Sequence, residues 1–554
     1  MHTITFSIEG GSDLTIEAAD GANVLEVARN AGISIDAPCG GAGTCGKCRL
    51  KLLEGEVEGG KNKRKPQEYD EGWRLACQST VVGDVHFMVP AEAASFAHDI
   101  QTADLSSQEE LDRYNHELSN LFASGIARGV AQEGYGVAID IGTTTVTAAL
   151  LDLQSGEIHG KASAGNDQIR FGADVINRII SQSKPGGVEA LREAIRENTI
   201  IPLLHDLCAQ AGIESTQISR CVIAGNTTME HLFLGANGDS IRLEPYEPEF
   251  LERHGDTAES TGLPLAPAAP VIFAPNVGSY VGGDITAGVL ATLLWNSDEM
   301  SFFIDLGTNG EMVYGNRDFM LTCACSAGPA FEGGDISCGM RATHGAIQKL
   351  TIDAESMDAS YETVGDCAPV GLCGSGIIDT VAELFRTGII SARGKFAREG
   401  RRIRPLSGGG CEYVIAFEGE NGAKRDVTIN ETDLDNFIRA KGAIFSAFRT
   451  MLKSVGATPD DLDRVMIAGG IGSGIDMENA MSIGMLPKMP LEKYRYIGNS
   501  SLTGACAMLV SDEAADKVFE LGQSMTYLEL SVEPGYMDEF VAACFIPHTD
   551  STLF

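Results

Sequence analysis

Two stretches of the chain repeat one pattern, and this repeat restricts the fold more than any other feature. GVAIDIGTTTVTAALLD at 136–152 and FFIDLGTNGEMVYG at 302–315 each contain an apolar strand, an aspartate, a Gly-Thr turn and a second strand. Around them, strand and helix patterns alternate from about residue 135 onward, which is typical of an α/β domain. The repeat therefore predicts two similar lobes within 135–554.

Each repeated turn has the residue types of a phosphate site. Backbone N–H groups and hydroxyls of such a turn can bind phosphate oxygens, and an aspartate at the strand end can hold Mg²⁺ through water. We therefore predict Asp140 and Asp305 as the catalytic carboxylates, which bind Mg²⁺ and position water. The predicted phosphate contacts are Thr143, Thr144, Thr145, Gly307, Thr308 and Asn309. Two turns on two lobes can close on one triphosphate from both sides.

A third turn, rich in glycine, follows an apolar strand near the C-terminus. RVMIAGGIGSGIDMENAMSIGMLP at 464–487 runs from a strand through glycines into a helix, so the backbone can approach a ligand closely. Gly469, Gly470 and Gly472 are expected to line a nucleoside pocket.

Other polar residues leave their roles open. Asp284 fits either a third acidic group of the site or a helix N-cap. Gln168 and Asp174 are weaker candidates for orienting the attacking water. His231 and His344 show no metal-ligand spacing, and structural roles are expected for both.

The loop PCGGAGTCGKCRL at 38–50 carries cysteines among glycines. Cys39, Cys45 and Cys48 have the spacing C-x5-C-x2-C, and Cys77 in RLACQ supplies a distant fourth thiolate. The plant-type 2Fe-2S pattern differs by one residue in the first gap. A structural zinc site usually needs two C-x2-C pairs, and a phosphate-binding loop needs Ser or Thr where Cys48 stands. We predict a 2Fe-2S cluster on these four cysteines, with Lys47 as a surface charge beside it.

Charge and cysteine usage exclude several classes of protein. The 554 residues carry a formal net charge of -36, which argues against nucleic acid or an anionic membrane as a partner. No charged segment precedes an apolar core at the N-terminus, and no apolar run approaches twenty residues. The predicted location is therefore the cytoplasm, where the fourteen cysteines are reduced thiols or metal ligands.

The first ninety residues have a pattern of their own. Period-two apolar positions predict a hairpin within 4–16, followed by a helix at 21–30 and strands at 48–57 and 81–89. The next segment is rich in Ala, Ser, Glu and Asp and has a helical pattern at 107–127. The predicted domains are 1–90, a linker with a helix at 91–134, and 135–554.

These motifs resemble known families. CGGAGTCGKCR with RLACQ is similar to β-grasp 2Fe-2S ferredoxins over 1–90, and the order of the three turns resembles the actin, sugar-kinase and Hsp70 ATPases over 135–554. Further stretches, among them VIAGNTTMEHLFLG, SAGPAFEGGDISCGMRATHGAI and YIGNSSLTGA, resemble the reductive activators of corrinoid proteins. The resemblance implies a multidomain α+β and α/β fold: a β-grasp ferredoxin, a linker and a two-lobed ATPase.

The same resemblance implies an activity. Activators of this family use ATP, Mg²⁺ and a 2Fe-2S cluster to reduce Co(II) to Co(I) in a corrinoid methyltransfer protein. A low-potential electron donor is the second expected partner, nucleic acid and membrane are not expected, and a homodimer stays open. Three alternatives remain: a small-molecule or acyl kinase with a redox-sensing ferredoxin domain, an electron donor to a dehydratase, and a non-catalytic redox-responsive regulator.

Overall fold

The computed structural model describes residues 1–554 except for 10–12, 34, 36, 38–40, 42, 44–45, 63–65, 91–107, 407–408 and 471–473. For 66–67 and 108–113 it describes the backbone alone. Three residues predicted to belong to the site, Cys39, Cys45 and Gly472, thus lie outside the described residues. Within the described part of the chain, no helix has the length and apolar composition needed to cross a bilayer.

The N-terminal part is a five-stranded sheet with one helix packed on it. Its elements are β1 (His2–Ile8), β2 (Asp13–Ala18), α1 (Val24–Asn30), β3 (Arg49–Gly59), β4 (Trp73–Leu75) and β5 (Ser79–Val89). The strand order is β2-β1-β5-β3-β4, with β1 antiparallel to β2 and parallel to β5. Phe6 and Phe87 are fully buried between sheet and helix, with ring centroids 5.9 Å apart. The predicted hairpin, helix and later strands are all present.

The helix predicted in the linker packs on the two lobes that follow it. This helix, α2 (Gln108–Ala123), buries Tyr114, Leu118 and Leu121 in the core that the two lobes share. Its Glu117 accepts a hydrogen bond of 2.8 Å from Thr503 Oγ1. The later part of the predicted linker is therefore built into the two-lobed part of the chain.

The first lobe is organised around the first repeat. Its strands are β6 (Tyr135–Ile141), β7 (Thr145–Asp152), β8 (Ile158–Gly165), β9 (Ile218–Gly225) and β10 (Val271–Phe273). Its helices are α3 (Val175–Gln182), α4 (Gly187–Ile195), α5 (Ile201–Ala211), α6 (Thr227–Leu234), α7 (Asp239–Arg242), α8 (Ala258–Thr261) and α9 (Gly283–Thr292). The sheet order is β10-β9-β6-β7-β8, with β6 antiparallel to β7 and parallel to β9.

The second lobe repeats this arrangement around the second turn. Its main strands are β11 (Ser301–Leu306), β12 (Gly310–Gly315), β13 (Met320–Cys325), β20 (Arg464–Ala468), β21 (Tyr494–Tyr496) and β22 (Thr526–Tyr527). They lie in the order β21-β20-β11-β12-β13-β22, with β11 antiparallel to β12 and parallel to β20. Each lobe therefore has the same central arrangement, a β-hairpin with a parallel strand beside it, as the repeat predicted.

Two small sheets and six helices complete the second lobe. The sheets contain β14 (Ala346–Ile352), β15 (Ala359–Thr363) and β16 (Gly371–Leu372), and β17 (Ile403–Pro405), β18 (Cys411–Ala416) and β19 (Val427–Asn430). The helices are α10 (Gly374–Arg386), α11 (Glu431–Ser454), α12 (Met477–Ser482), α13 (Ser500–Val510), α14 (Asp512–Ser524) and α15 (Tyr536–Ala543).

Helices α9 and α13 join the two lobes. Their apolar residues lie in one core cluster together with residues of both main sheets. At the contact, a Cβ on Gly504 would lie 2.0 Å from the carbonyl oxygen of Ala287, so only glycine fits there. The two backbones therefore touch directly between the lobes.

Candidate functional site

Two of the predicted cluster ligands are described, and the fold brings them together. Cys48 and Cys77 are both buried, and the amide of Ala76 donates to the Cys48 carbonyl at 2.8 Å. Asn23, which caps α1, donates from its side-chain amide to the Cys77 carbonyl at 3.0 Å. The first helix therefore fixes the turn that carries the fourth cysteine.

The glycines of the loop allow it to fold onto this turn. Gly41 has a φ of +91°, and a Cβ on it would lie 3.8 Å from the Cβ of Cys77. The side-chain amide of Gln78 donates to the Gly41 carbonyl at 2.8 Å. Gly41 of the loop thus lies against the turn of the fourth cysteine, as a cluster held by both requires.

Arg29 provides a test of whether these residues fit an iron-sulfur cluster. Its Nε and Nη2 are buried and have no hydrogen-bond acceptor among the described residues. Burial lowers the pKa of Arg29, whereas the Cys48 and Cys77 thiols act to raise it. Two orphaned N–H donors beside two ligand thiols match a bound anionic cluster, so the residues present fit the group.

The two phosphate turns face each other across the cleft between the lobes. Thr144 Oγ1 and Thr308 Oγ1 are 2.9 Å apart, although they are 164 residues apart in sequence. Thr143 Oγ1 accepts a hydrogen bond of 3.0 Å from the side chain of Asn226. The structure thus brings the two predicted turns to one place, as a site for a single triphosphate requires.

The remaining predicted residues of these turns shape the backbone. Gly142 donates to the Thr145 carbonyl at 3.0 Å, and Gly307 donates to the Asn309 carbonyl at 3.0 Å. Thr145 itself has an exposed side chain at the start of β7. Each turn is therefore closed by a main-chain hydrogen bond.

Asp140 is held in place by a third element. Its carboxylate accepts hydrogen bonds from Asn499 Nδ2 at 2.7 Å and from Ser501 Oγ at 2.8 Å. These residues lie at the start of α13, in the stretch YIGNSSLTGA. The stretch contributes to the family resemblance, but its sequence did not predict a role for Asn499 or Ser501.

The buried carboxylates of the cleft repel one another. Burial and the charge of Asp140 raise the pKa of Asp305 to about 7. Burial together with Asp305 and Asp140 raises the pKa of Asp284 to about 8. Glu311, which pairs with Asp305 across β11 and β12, also has a pKa raised well above its ordinary value by burial. A divalent cation in this cleft would relieve the repulsion.

A Mg²⁺ ion at these carboxylates would need further ligands, such as waters and phosphate oxygens. Among the described residues, no three Asp, Glu, His or Cys side chains are arranged to hold a metal ion by themselves. Mg²⁺ usually keeps several waters and binds one or two carboxylates plus phosphate oxygens. Asp284 belongs to this group and is not the helix N-cap, because Gly282 caps α9.

The glycine-rich turn lies against the second phosphate turn. A Cβ on Gly469, whose φ is +96°, would lie 2.2 Å from the Leu306 carbonyl oxygen and 2.9 Å from the carboxylate of Asp305. Among the described residues, no atom lies within 4 Å of a Cβ placed on Gly470. Gly469 thus permits the close approach of the turn, and Gly470 borders open space.

The sequence patterns did not predict two cationic residues and one acidic residue that lie in the cleft. Arg178 is fully buried and donates to the Thr143 carbonyl at 2.5 Å, and burial lowers its pKa to about 9. Arg341 donates to the Thr144 carbonyl at 3.1 Å. Glu332 accepts hydrogen bonds from both Thr144 and Thr308. No local motif marks these residues, since their partners lie far away in the chain.

The weaker candidates have structural roles in the described chain. Gln168 is fully buried and donates to the Leu191 carbonyl at 3.0 Å. Asp174 caps α3 by accepting the amide of Asn177 at 2.8 Å.

The two histidines lie in different surroundings. His231 Nδ1 donates to the Thr227 carbonyl at 2.7 Å, and its ring stacks on Phe250 with centroids 4.0 Å apart. The expected structural role is therefore present for His231, whereas His344 is exposed.

Comparison with known proteins identifies the family. A model of the RACo middle region matches residues 135–297, a model of the C-terminal ASKHA domain of RACo matches 299–554, and a 2Fe-2S iron-sulfur cluster binding domain matches 8–82. The corrinoid activation enzyme RamQ of Eubacterium limosum is 36% identical over 416 residues, which cover 74% of this chain and 69% of that protein. The chain belongs to the reductive activators of corrinoid proteins.

Two further relatives agree with this family. A Co(II) methylated amine-specific corrinoid protein reductase of Methanosarcina barkeri is 26% identical over 71% of this chain and 73% of its own length. A solved structure of a reductive activator for corrinoid, iron-sulfur protein matches both chains over their full length, with 40% identity and a TM-score of 0.71. The matches confirm the predicted fold class, the 2Fe-2S cofactor and the ATP-binding lobes of this activator.

Proposed function

We propose that this protein uses ATP to drive a one-electron reduction of Co(II) to Co(I) in a corrinoid methyltransfer protein. The observation that carries the proposal is the full-length match to a reductive activator, in a chain that also has the ATP cleft described above. A one-electron transfer against a potential gap becomes tenfold less favourable for every ~59 mV. ATP binding and hydrolysis can oppose this gap if they favour a state that transfers the electron productively.

The residues of the two sites have distinct tasks. Cys39, Cys45, Cys48 and Cys77 would hold the 2Fe-2S cluster, which supplies single electrons when bound. In the cleft, the phosphate turns bind the triphosphate, and Gly469 and Gly470 let the backbone approach the nucleoside. Gly472 is proposed for the same pocket.

The carboxylates prepare the hydrolysis step. Asn499 and Ser501 fix the orientation of Asp140, which would hold Mg²⁺ and position the attacking water when the metal is bound. Asp284 of the first lobe and Asp305 of the second lobe are electrostatically coupled to Asp140 and would contribute to the same cation site. Arg178 holds the Thr143 carbonyl, and the first turn therefore keeps its shape when phosphate binds.

Partners, domains and location complete the proposal. A low-potential donor reduces the ferredoxin domain, and the protein acts in the cytoplasm; a homodimer stays open. We propose the domain limits 1–90, 91–134 and 135–554, with the helical part of the linker docked on the ATPase. The surface charge of this acidic chain favours partners with basic contact surfaces.

An anaerobic reduction assay tests the function. The protein is reduced, mixed with a Co(II) corrinoid protein, and followed at the Co(I) absorption band with and without ATP. We expect the band to grow only with ATP. Reduction at equal rates without ATP, or none with several native corrinoid proteins, would contradict the proposal.

Matched cysteine variants link the electron to the cluster. Cys77→Ser should abolish the visible spectrum of the cluster and the formation of Co(I). Cys367→Ser, which changes an exposed cysteine of the second lobe, should leave both unchanged. ATP consumption that responds to a small-molecule acceptor, and not to the corrinoid protein, would instead support the kinase alternative.

A further inference from the structure

One segment of the second lobe crosses the cleft and contacts both phosphate turns. This bridging segment, residues 326–341, follows β13 and reads SAGPAFEGGDISCGMR. Its Glu332 accepts hydrogen bonds from Thr144 and Thr308, and its Arg341 donates to the Thr144 carbonyl at 3.1 Å. The segment therefore connects the phosphate turn of the first lobe to that of the second.

The carboxylate of Glu332 occupies a position suited to a phosphate oxygen. Two threonine hydroxyls of the phosphate turns donate to it, and the charges of Arg341 and Arg178 act on it. A triphosphate that binds these turns needs the same hydroxyl donors. It also brings negative charge next to a buried carboxylate, so the phosphate and Glu332 compete for this place.

The residue after Glu332 contacts the ferredoxin domain. Lys47 Nζ donates to the Gly333 carbonyl at 3.3 Å, and Lys47 directly precedes the cluster ligand Cys48 in sequence. The charge of Lys47 also acts on Asp433. The expectation that Lys47 is a simple surface charge is thus incomplete, because it lies between two domains.

The bridging segment turns tightly after Glu332, and its later part is anchored to α11. Gly333 has a φ of +78°, and a Cβ on it would lie 2.5 Å from the amide nitrogen of Met340. Asp433 accepts hydrogen bonds from the amide and hydroxyl of Ser337 at 2.8 and 2.9 Å. Because Gly333 directly follows Glu332, a backbone displacement at Glu332 shifts the carbonyl that Lys47 binds.

We propose that the bridging segment is the docking surface for the ferredoxin domain at Lys47, and that nucleotide binding releases this contact by displacing Glu332 from the phosphate turns. The inference rests on the proposed function and extends it, since it states what ATP binding does before any electron moves. While Glu332 lies on the phosphate turns, the ferredoxin domain is held at the cleft by Lys47. With nucleotide bound, it is free to meet the corrinoid partner.

Thermodynamic linkage gives a test that needs no corrinoid protein. If nucleotide weakens docking, weaker docking must strengthen nucleotide binding by the same factor. Lys47→Met removes the docking hydrogen bond and should tighten binding of a nonhydrolysable ATP analogue by roughly three- to tenfold, measured by titration calorimetry on the full-length protein. Lys51→Met is the matched control, because Lys51 lies over Trp73 within the ferredoxin domain and should not change the affinity.

A second substitution tests the role of Glu332. Glu332→Gln keeps a hydrogen-bond acceptor but removes the negative charge that a phosphate would repel. In this background Lys47→Met should have less effect on analogue affinity than in the parent protein. Equal effects in both backgrounds, or equal affinities of the Lys47→Met variant and the parent, would overturn the proposal.

Hydrogen exchange gives an independent measurement. Peptides covering 46–50 of the parent protein should exchange faster when the analogue is bound, whereas peptides within β1 should not change. Unchanged exchange at 46–50 would also overturn the proposal. A failed docking test leaves the ATP-dependent formation of Co(I) intact, so it is distinguishable from failure of the proposed function.

Discussion

Single side chains in the cleft are positioned by partners hundreds of residues away. Asp140 is oriented by Asn499 and Ser501, from 359 and 361 positions further along the chain. Thr144 and Thr308 meet although they belong to different lobes. The chemistry of each residue is local, but its orientation depends on the folded pair of lobes.

We expect Asp140→Asn to remove most ATP hydrolysis. The amide keeps the size of the side chain but loses the charge directed at Mg²⁺, so the rate should fall roughly 10²- to 10³-fold. Phosphate release measures the rate, and the visible spectrum of the cluster should stay that of the parent. Asp318→Asn, which changes an exposed aspartate of the second lobe, should hydrolyse ATP normally. Parent-like hydrolysis by Asp140→Asn would show that this assignment is wrong.

His231 should make the first lobe sensitive to acid. Burial lowers the pKa of the folded His231 to about 4 from an ordinary value of 6.5. Between these values the unfolded chain binds a proton that the folded protein does not, so stability falls as pH falls from about 6.5 to 4. The loss from this group is at most roughly 3 kcal/mol.

The comparison of His231→Phe with the parent measures this effect. The variant keeps an aromatic ring against Phe250 but has no group to protonate, so its free energy of unfolding should fall less between pH 7 and pH 4.5. Denaturant unfolding at several pH values gives the difference. A substitution of the exposed His205 by Gln should preserve the pH dependence of the parent. Identical curves for His231→Phe and the parent would exclude His231 as the source.

At the scale of elements, three turns meet at one cleft. Two strand-turn-strand units supply hydroxyls and carboxylates, and the glycine-rich turn after β20 lies against the second unit. The close contact between Gly469 and the Leu306 carbonyl shows why this turn needs glycine: any Cβ would overlap the neighbouring strand. Glycine at this position has a packing role in addition to any contact with nucleotide.

Two neighbouring glycines should therefore respond differently to alanine. Gly469→Ala places a Cβ 2.2 Å from a backbone oxygen at a φ of +96°, and should cost at least about 2 kcal/mol of stability. Gly470→Ala meets no atom within 4 Å, so it should fold normally but weaken nucleotide binding if the pocket lies there. Thermal unfolding and nucleotide titration separate the two effects. A stable Gly469→Ala protein, or unchanged affinity in Gly470→Ala, would contradict the respective role.

Local sequence patterns predicted the elements but not their contacts. The repeated turns, the hairpin of β1 and β2 and the helix α2 follow from periodicity and turn residues, and all are present. The roles of Glu332, Arg178 and Asn499 could not be predicted, because each depends on a partner brought close only by tertiary packing. The same limit applies to α2, whose apolar side gave no sign that it covers the ATPase.

At the scale of the whole molecule, charge opposes compactness. The formal net charge of -36 is spread over a chain whose cleft alone contains several mutually repelling carboxylates. Self-repulsion of this kind destabilises a folded protein and is screened by salt. The protein therefore has an electrostatic cost that its buried cores must offset.

We expect the melting temperature to rise with ionic strength. Increasing NaCl from 10 to 200 mM shortens the Debye length from ~30 Å to below ~10 Å, so repulsion between distant carboxylates is screened. Calorimetry with a chelator present measures the effect without any contribution from bound divalent cations. A melting temperature that falls over this range would show that favourable ion pairs outweigh the net repulsion.

The direct backbone contact between α9 and α13 bears on how the lobes can move. No side chain lies between Gly504 and the Ala287 carbonyl. The two helices therefore do not interlock through side chains at that point. The shared core on both sides prevents the lobes from swinging widely apart. We therefore expect closure on ATP to be a shear, in which the two helices slide by an ångström or two along each other. A movement of that size is small in the core but sufficient to separate two hydroxyls that now touch.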